Sequence, residues 1–205
     1  MFVSLEGIDG SGKSTQAKLL AEALGPETVL VREPGGTAAA ERVRELLADG
    51  ELELDPMAEL LLFCAARADL VQRAIRPALE AGRDVVSDRF ADSSAAYQGG
   101  GRGLGIDLAE RLSDAAAEGL RPDLTLLIWI DPEQAAQRSG GEDRFEAAGL
   151  EFQRAVASAY EEIAVRHADR VVKVDGSGSV EEVHARVMGA VEAKLEERGM
   201  RNEER

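Results

Sequence analysis

The sequence predicts an α/β protein of three layers, an open five-stranded parallel sheet with helices on both faces. Two observations carry this. Short apolar runs bounded by turn residues alternate with helix-length segments, the pattern of strands buried on both faces between crossover helices. The first run also feeds directly into a glycine-rich loop and then a helical pattern, the opening expected where such a sheet binds its ligand. A chain of 205 residues is in the range of one large domain, and no repeat or low-complexity linker divides it.

The strands follow in order. Phe2 to Leu5 is the first, Thr28 to Val31 the second, Val85 to Ser87 the third, Leu124 to Ile130 the fourth and Val171 to Val174 the fifth. Between the second and third, Met57, Leu60, Leu61, Cys64, Ala68, Val71 and Ile75 recur at three- and four-residue spacing and make the core stripe of a helix. Phe63, Arg67 and Leu70 run beside that stripe. On pattern alone two readings stand: a phenylalanine at the core edge with a snorkelling arginine, or a pair that shares one face and lines a pocket. Pro77 is expected to end or kink this helix near Arg76. Cys64, the sole cysteine, lies inside an apolar run and reads as a small buried hydrophobe. A mobile lid is expected over about 137–149, and a helical tail that frays over about 192–205.

The charges exclude several classes. With 24 Lys and Arg against 39 Asp and Glu, the net charge is -15, the wrong balance for gripping a nucleic-acid backbone. Anionic small molecules would then depend on a few well-placed basic residues for attraction. No apolar run approaches the ~18 residues of a membrane helix, and the amino-terminal residues do not follow the signal-peptide pattern, so a cytoplasmic protein is expected. His167 and His184 are isolated and lack the spacing of a zinc site, and no G-x-S-x-G elbow is present.

The chemistry concentrates after the first strand. Gly7-Ile8-Asp9-Gly10-Ser11-Gly12-Lys13-Ser14, followed by Thr15, is a complete G-x-x-x-x-G-K-S between a strand and a helix. The glycines permit a tight loop of inward-facing N–H groups, and the helix N-terminus adds partial positive charge. The fold expected is therefore that of the P-loop NTPases, with ATP phosphates held by Gly7 to Thr15. Lys13 is expected on the β/γ-phosphates and the Ser14 hydroxyl on Mg²⁺. The loop alone does not separate a kinase from an ATPase or a GTP-dependent switch. The switch class needs an N-K-x-D element, and the only asparagine is Asn202. The third strand ends in Asp88-Arg89, where open sheets place their ligands. Asp88 suits a magnesium shell, partly through water, and Arg89 either grips a second substrate's phosphate or forms a surface ion pair.

With the next segment, Ala91 to Gly99 through Tyr97-Gln98, the chain resembles the bacterial thymidylate kinases. The likeness rests on the phosphate loop, Arg32-Glu33-Pro34-Gly35-Gly36-Thr37, Phe63-Cys64-Ala65-Ala66-Arg67, Asp88-Arg89-Phe90 through Gln98-Gly99, and Asp143-Arg144-Phe145-Glu146. These blocks stand in the family's order across most of the first 150 residues. The resemblance implies transfer of the γ-phosphoryl of ATP to dTMP, with Mg²⁺, in a homodimer, and without nucleic acid or membrane. It implies that Phe63 stacks on thymine, that Arg67 and Ser94 hydrogen-bond its polar edge, and that Gln98 lies close by. Asp9 would lie between the acceptor's sugar and the metal. Arg89 would hold the acceptor phosphate with Arg44 as helper, Tyr97 would pack on the deoxyribose, and Glu33 with Pro34 would wall the site. Family members with glycine at the Gly10 position generally depend on a lid arginine. Here the stretch from Gln137 to Arg144 departs from its more basic relatives and keeps two arginines, Arg138 and Arg144, as candidates. Other nucleoside monophosphate acceptors, and a non-catalytic P-loop regulator, are the alternatives to this reading.

Overall fold

Strands that bury both faces need helices above and below, and the chain supplies them in alternation. The computed structural model describes residues 1–138 and 149–203. The sheet runs in the order β2 (Val29–Arg32), β3 (Val85–Asp88), β1 (Phe2–Glu6), β4 (Leu124–Trp129), β5 (Val171–Asp175), and every neighbouring pair is parallel. The strands lie within one residue of their sequence-predicted ends. β1 is buried throughout, whereas the edge strands β2 and β5 leave Leu30 and Val172 partly in water.

On one face, Val3, Leu5, Leu126 and Ile128 pack on Leu20 of α1 (Lys13–Leu24) and on Val187 and Val191 of α9 (Val180–Glu203). On the other, Leu127 and Val171 meet Val156, Tyr160 and Ile163 of α8 (Leu150–Arg166). A third cluster joins Phe2, Val31 and Val85 to Leu70, Val71 and Ile75. α9 continues helical to Glu203, through the stretch read from sequence as a fraying tail.

Capping fixes the two helices that follow β2. Thr37 opens α2 (Ala38–Ala48) by accepting from Ala40 N at 3.1 Å, and Asp55 opens α3 (Pro56–Leu70) by accepting from Met57 N at 2.9 Å, with Pro56 in the first turn. The break expected at Pro77 is absorbed. α3 widens into a π-helical turn at Val71–Ile75, where Arg76 N–H donates to Val71 O, and α4 (Arg76–Glu80) follows with Pro77 in its first turn. The wider turn changes the carbonyl ladder ahead of the proline, which has no N–H to contribute.

A second π-helical turn, Ala95–Gly101, extends α5 (Ala91–Ser94) and carries Tyr97 and Gln98. Its glycines let α8 approach, since a Cβ on Gly100 would lie 2.4 Å from the Ala159 Cβ. α6 (Ile106–Ala116) and α7 (Pro132–Arg138) complete the set among the described residues. The order reverses about β1, so the carboxyl ends of β1 and β3 open onto one crevice.

Candidate active site

The phosphate loop sits at that crevice. Gly10 has φ 79°, and a Cβ there would lie 2.4 Å from Ala135 O, so the loop is pressed against α7, the helix that leads toward the lid region. Lys13 does not reach into solvent. It is 7% exposed and folds back, with Nζ 3.4 Å from both Ile8 O and Asp9 Oδ1. Burial, then the neighbouring Arg89, pulls the Lys13 ammonium below its usual range.

Asp9 is the centre of a charged knot. Its carboxylate accepts from Arg89, from the Tyr97 hydroxyl at 2.9 Å and from Gln153 Nε2 of α8 at 3.4 Å. Burial opposes its ionisation, but Arg89 and then Lys13 outweigh this and hold the carboxyl well below the usual range. Arg89 has φ 71°, a left-handed conformation that costs a non-glycine residue of order 1 kcal/mol and is kept only where the surroundings demand it. They do so here: Arg89 Nη1 donates to Gly7 O at 3.0 Å and Ser93 Oγ at 3.1 Å, and its guanidinium stacks 4.8 Å from the Tyr97 ring centroid.

Behind Arg89 lies an acid that sequence reasoning did not assign. Glu6, fully buried at the end of β1, accepts from Phe90 N at 2.7 Å, Ser93 Oγ at 2.6 Å and the Tyr160 hydroxyl at 2.9 Å. Burial, then the charge of Asp92, pushes its carboxyl up to about 7. Its one usable signal was position: an acid closing a strand whose other residues, Phe2, Val3, Ser4 and Leu5, carry no charge.

A cavity of about 460 Å³ brings the predicted site residues together. Asp9, Gly10, Lys13, Ser14 and Asp88 line it on the phosphate side, Glu33, Pro34 and Arg44 on a second wall, and Phe63, Arg89, Ser94, Tyr97 and Gln98 on the remainder. Arg44 is fixed by donating to Pro34 O at 3.1 Å. Lys18 and Arg32 line the same cavity, although no role was read for them from sequence. Gly7, Ile8, Ser11, Gly12 and Thr15 form the loop and the first turn of α1 beside the cavity rather than its wall.

Arg67 departs from the snorkelling reading. It is 1% exposed, so it does not snorkel, and it lies behind the cavity wall rather than in it. Its donors go to Glu33 Oε2 at 2.9 Å, Ser113 Oγ at 2.9 Å, Phe90 O at 3.2 Å and Ser94 Oγ at 2.9 Å. Burial pushes the Glu33 carboxyl up while Arg67 draws it down, and the guanidinium stays charged. A buried arginine that holds a carboxylate and two serines braces the pocket from behind.

Arg138 is not among the residues that line the cavity, its Nη1 donating to Gly176 O at 3.3 Å, and Arg144 lies outside the described residues. For a cation, the structure offers hard oxygen donors. Asp88 Oδ1 is buried with no hydrogen-bond partner among the described residues, and the Ser14 hydroxyl lines the same cavity, a set that fits Mg²⁺.

A protein-family model described as thymidylate kinase matches residues 5–187, the greater part of the chain. The chain belongs to the thymidylate kinase family. It is thereby a nucleoside monophosphate kinase, a phosphotransferase. It is 46% identical over 198 residues to the thymidylate kinase of Synechococcus sp. (strain JA-3-3Ab), covering 95% of this chain and 97% of that one. With the thymidylate kinase of Chlorobaculum parvum it shares 41% identity over 208 residues, 94% of this chain and 96% of the relative. The crystal structure of thymidylate kinase from Ehrlichia chaffeensis superposes with a TM-score of 0.77 at 36% identity, covering 93% of this chain and 98% of that one. Within the thymidylate kinase fold, the π-helical turn at Ala95–Gly101 carries Tyr97 and Gln98 to this cavity, and the buried Arg67 holds Ser94 in its wall.

Proposed function

We propose that this protein transfers the γ-phosphoryl of ATP to dTMP, giving ADP and dTDP for dTTP synthesis. The observation that carries the reading is one cavity lined together by Lys13 and Ser14 of the phosphate loop, by Arg89, and by Phe63, Ser94 and Gln98. A donor phosphate on the loop and an acceptor base on Phe63 would then bracket Arg89, where the acceptor phosphate belongs.

The acceptor phosphate is an oxyanion at neutral pH, so its oxygen attacks the γ-phosphorus without a base. The bond to the β,γ-bridging oxygen breaks, and ADP leaves with that oxygen. Catalysis is alignment and charge neutralisation. Asp9 is bonded to both Arg89 and Lys13. An arriving acceptor phosphate competes for Arg89, and the polyphosphate competes for Lys13. Mg²⁺, held by Ser14 and Asp88 partly through water, would supply further positive charge at the phosphates. Arg138 or Arg144 would add to it when the lid closes over the site and excludes water.

A homodimer fits this reading, since α2 packs beside α3 and leaves Leu46 and Leu61 exposed at 39% and 49%. No described helix is long and apolar enough to cross a membrane. We assign the reaction to the cytoplasm, with no nucleic-acid partner. An ADP-release assay over a panel of nucleoside monophosphates tests the reading. dTMP is expected to be the fastest acceptor, and faster release with a purine monophosphate or with none added would refute it.

A further inference from the structure

Two neutral side chains face the base end of the cavity, and each is held from behind by an ion that leaves it one role. Gln98 Nε2 donates to Glu59 Oε1 at 2.9 Å. A carboxylate only accepts hydrogen bonds, so the amide nitrogen must turn toward Glu59. The amide oxygen has no partner among the described residues, and Gln98 lines the cavity. Glu59 is itself fully buried in α3 and is gripped on both oxygens by Arg102, from Nε at 3.2 Å and Nη2 at 3.2 Å. On the other side, Ser94 Oγ accepts from Arg67 Nη2 at 2.9 Å. Arginine only donates, so the serine's own proton is left for the cavity.

The cleft therefore presents a carbonyl acceptor and a hydroxyl donor. The thymine and uracil imide offers the complement, an N3–H donor beside a carbonyl acceptor. Cytosine offers the reverse at the same two places, a bare ring nitrogen beside an amino donor.

We propose that Glu59 is a positioning residue for base selection. By fixing the Gln98 amide it makes the cleft accept a ring N–H and reject a ring nitrogen lone pair. The inference rests on the reading that this cleft takes the base of dTMP. Glu59 acts only through Gln98 and does not touch the base.

Glu59→Gln tests it, because the replacement is isosteric, keeps an oxygen for Arg102 and frees the Gln98 amide to turn either way. Dissociation constants for dTMP, dUMP and dCMP are measured by calorimetry on wild type and variant, with thermal unfolding alongside. Wild type is expected to favour dTMP and dUMP over dCMP. The variant should lose roughly tenfold of the discrimination against dCMP. Its dTMP-to-dUMP ratio, which depends on the methyl group alone, should stay within about twofold. Arg102→Met, which leaves Glu59 in place but unanchored, should move the dCMP ratio in the same direction. In a Gln98→Met background, Glu59→Gln should change that ratio no further, because the two act as one unit. An unchanged dCMP ratio in both Glu59→Gln and Arg102→Met overturns the proposal, as does equal weakening of all three ligands, which is the mark of a structural role. Failure of the wild type to bind dTMP would instead overturn the functional reading, and it appears before any variant is made.

Discussion

Replacing Glu6 with glutamine removes one buried titration from the molecule. Burial raises its carboxyl from the ordinary 4.5 to about 7 in the folded chain. The raised value means that the folded state binds the Glu6 proton more tightly than the unfolded state does. Its stabilising contribution is therefore complete below the ordinary value and is lost as pH rises through about 7. Between about pH 5 and about pH 8 the loss is on the order of 2 to 3 kcal/mol, a sizeable share of a domain's net stability. Glu6→Gln keeps a carbonyl oxygen for Phe90 N, and its amide can donate to Ser93 or Tyr160, so the fold is retained. Urea unfolding of both proteins across this pH range gives the difference, with titrations remote from Glu6 cancelling. The wild type should lose on the order of 2 to 3 kcal/mol relative to the variant by about pH 8. Parallel curves would show that Glu6 does not titrate in this window and would refute the argument from burial.

Lys13→Ala should cut turnover by several orders of magnitude, and near-normal turnover would remove Lys13 from the mechanism. Because Lys13 is buried against Asp9, thermal unfolding should accompany that assay. Arg67→Ala leaves the Glu33 carboxylate buried without its partner and should destabilise the fold by about 3 to 5 kcal/mol in urea unfolding, and surviving protein should lose dTMP affinity far more than ATP affinity. The double variant Arg138→Ala/Arg144→Ala, assayed at saturating ATP and dTMP, should lose turnover by ~10³ or more with a much smaller change in ATP affinity. Retention of most turnover would show that the lid supplies no catalytic charge.

The sheet was legible because its strands are short apolar runs with period and punctuation, and because the phosphate loop needs a strand before it and a helix after it. The residues that line the cavity were legible where local motifs carry them, as with Asp9, Lys13 and Asp88-Arg89. What could not be read is whatever depends on long-range packing. Glu6, Ser93 and Tyr160 meet across 67 to 154 residues of sequence, and Glu59 meets Gln98 across 39. No local pattern announces such contacts. Arg67 shows the same limit from another side. Its helical spacing placed it beside Phe63, but only the fold reveals that it donates to Glu33, Ser113, Ser94 and Phe90 O from behind the wall. The π-helical turn ahead of Pro77 has no compositional signature and could not be read.

The central claim is phosphoryl transfer to dTMP, and following the phosphate tests it most directly. ATP labelled on the γ-phosphate is mixed with the protein, Mg²⁺ and dTMP, and the products are separated. The label is expected in dTDP, in proportion to the ADP formed, and to be absent from dTDP when dTMP is left out. Label that appears as inorganic phosphate at the same rate with and without dTMP would contradict the account and make this cavity that of a nucleotide hydrolase.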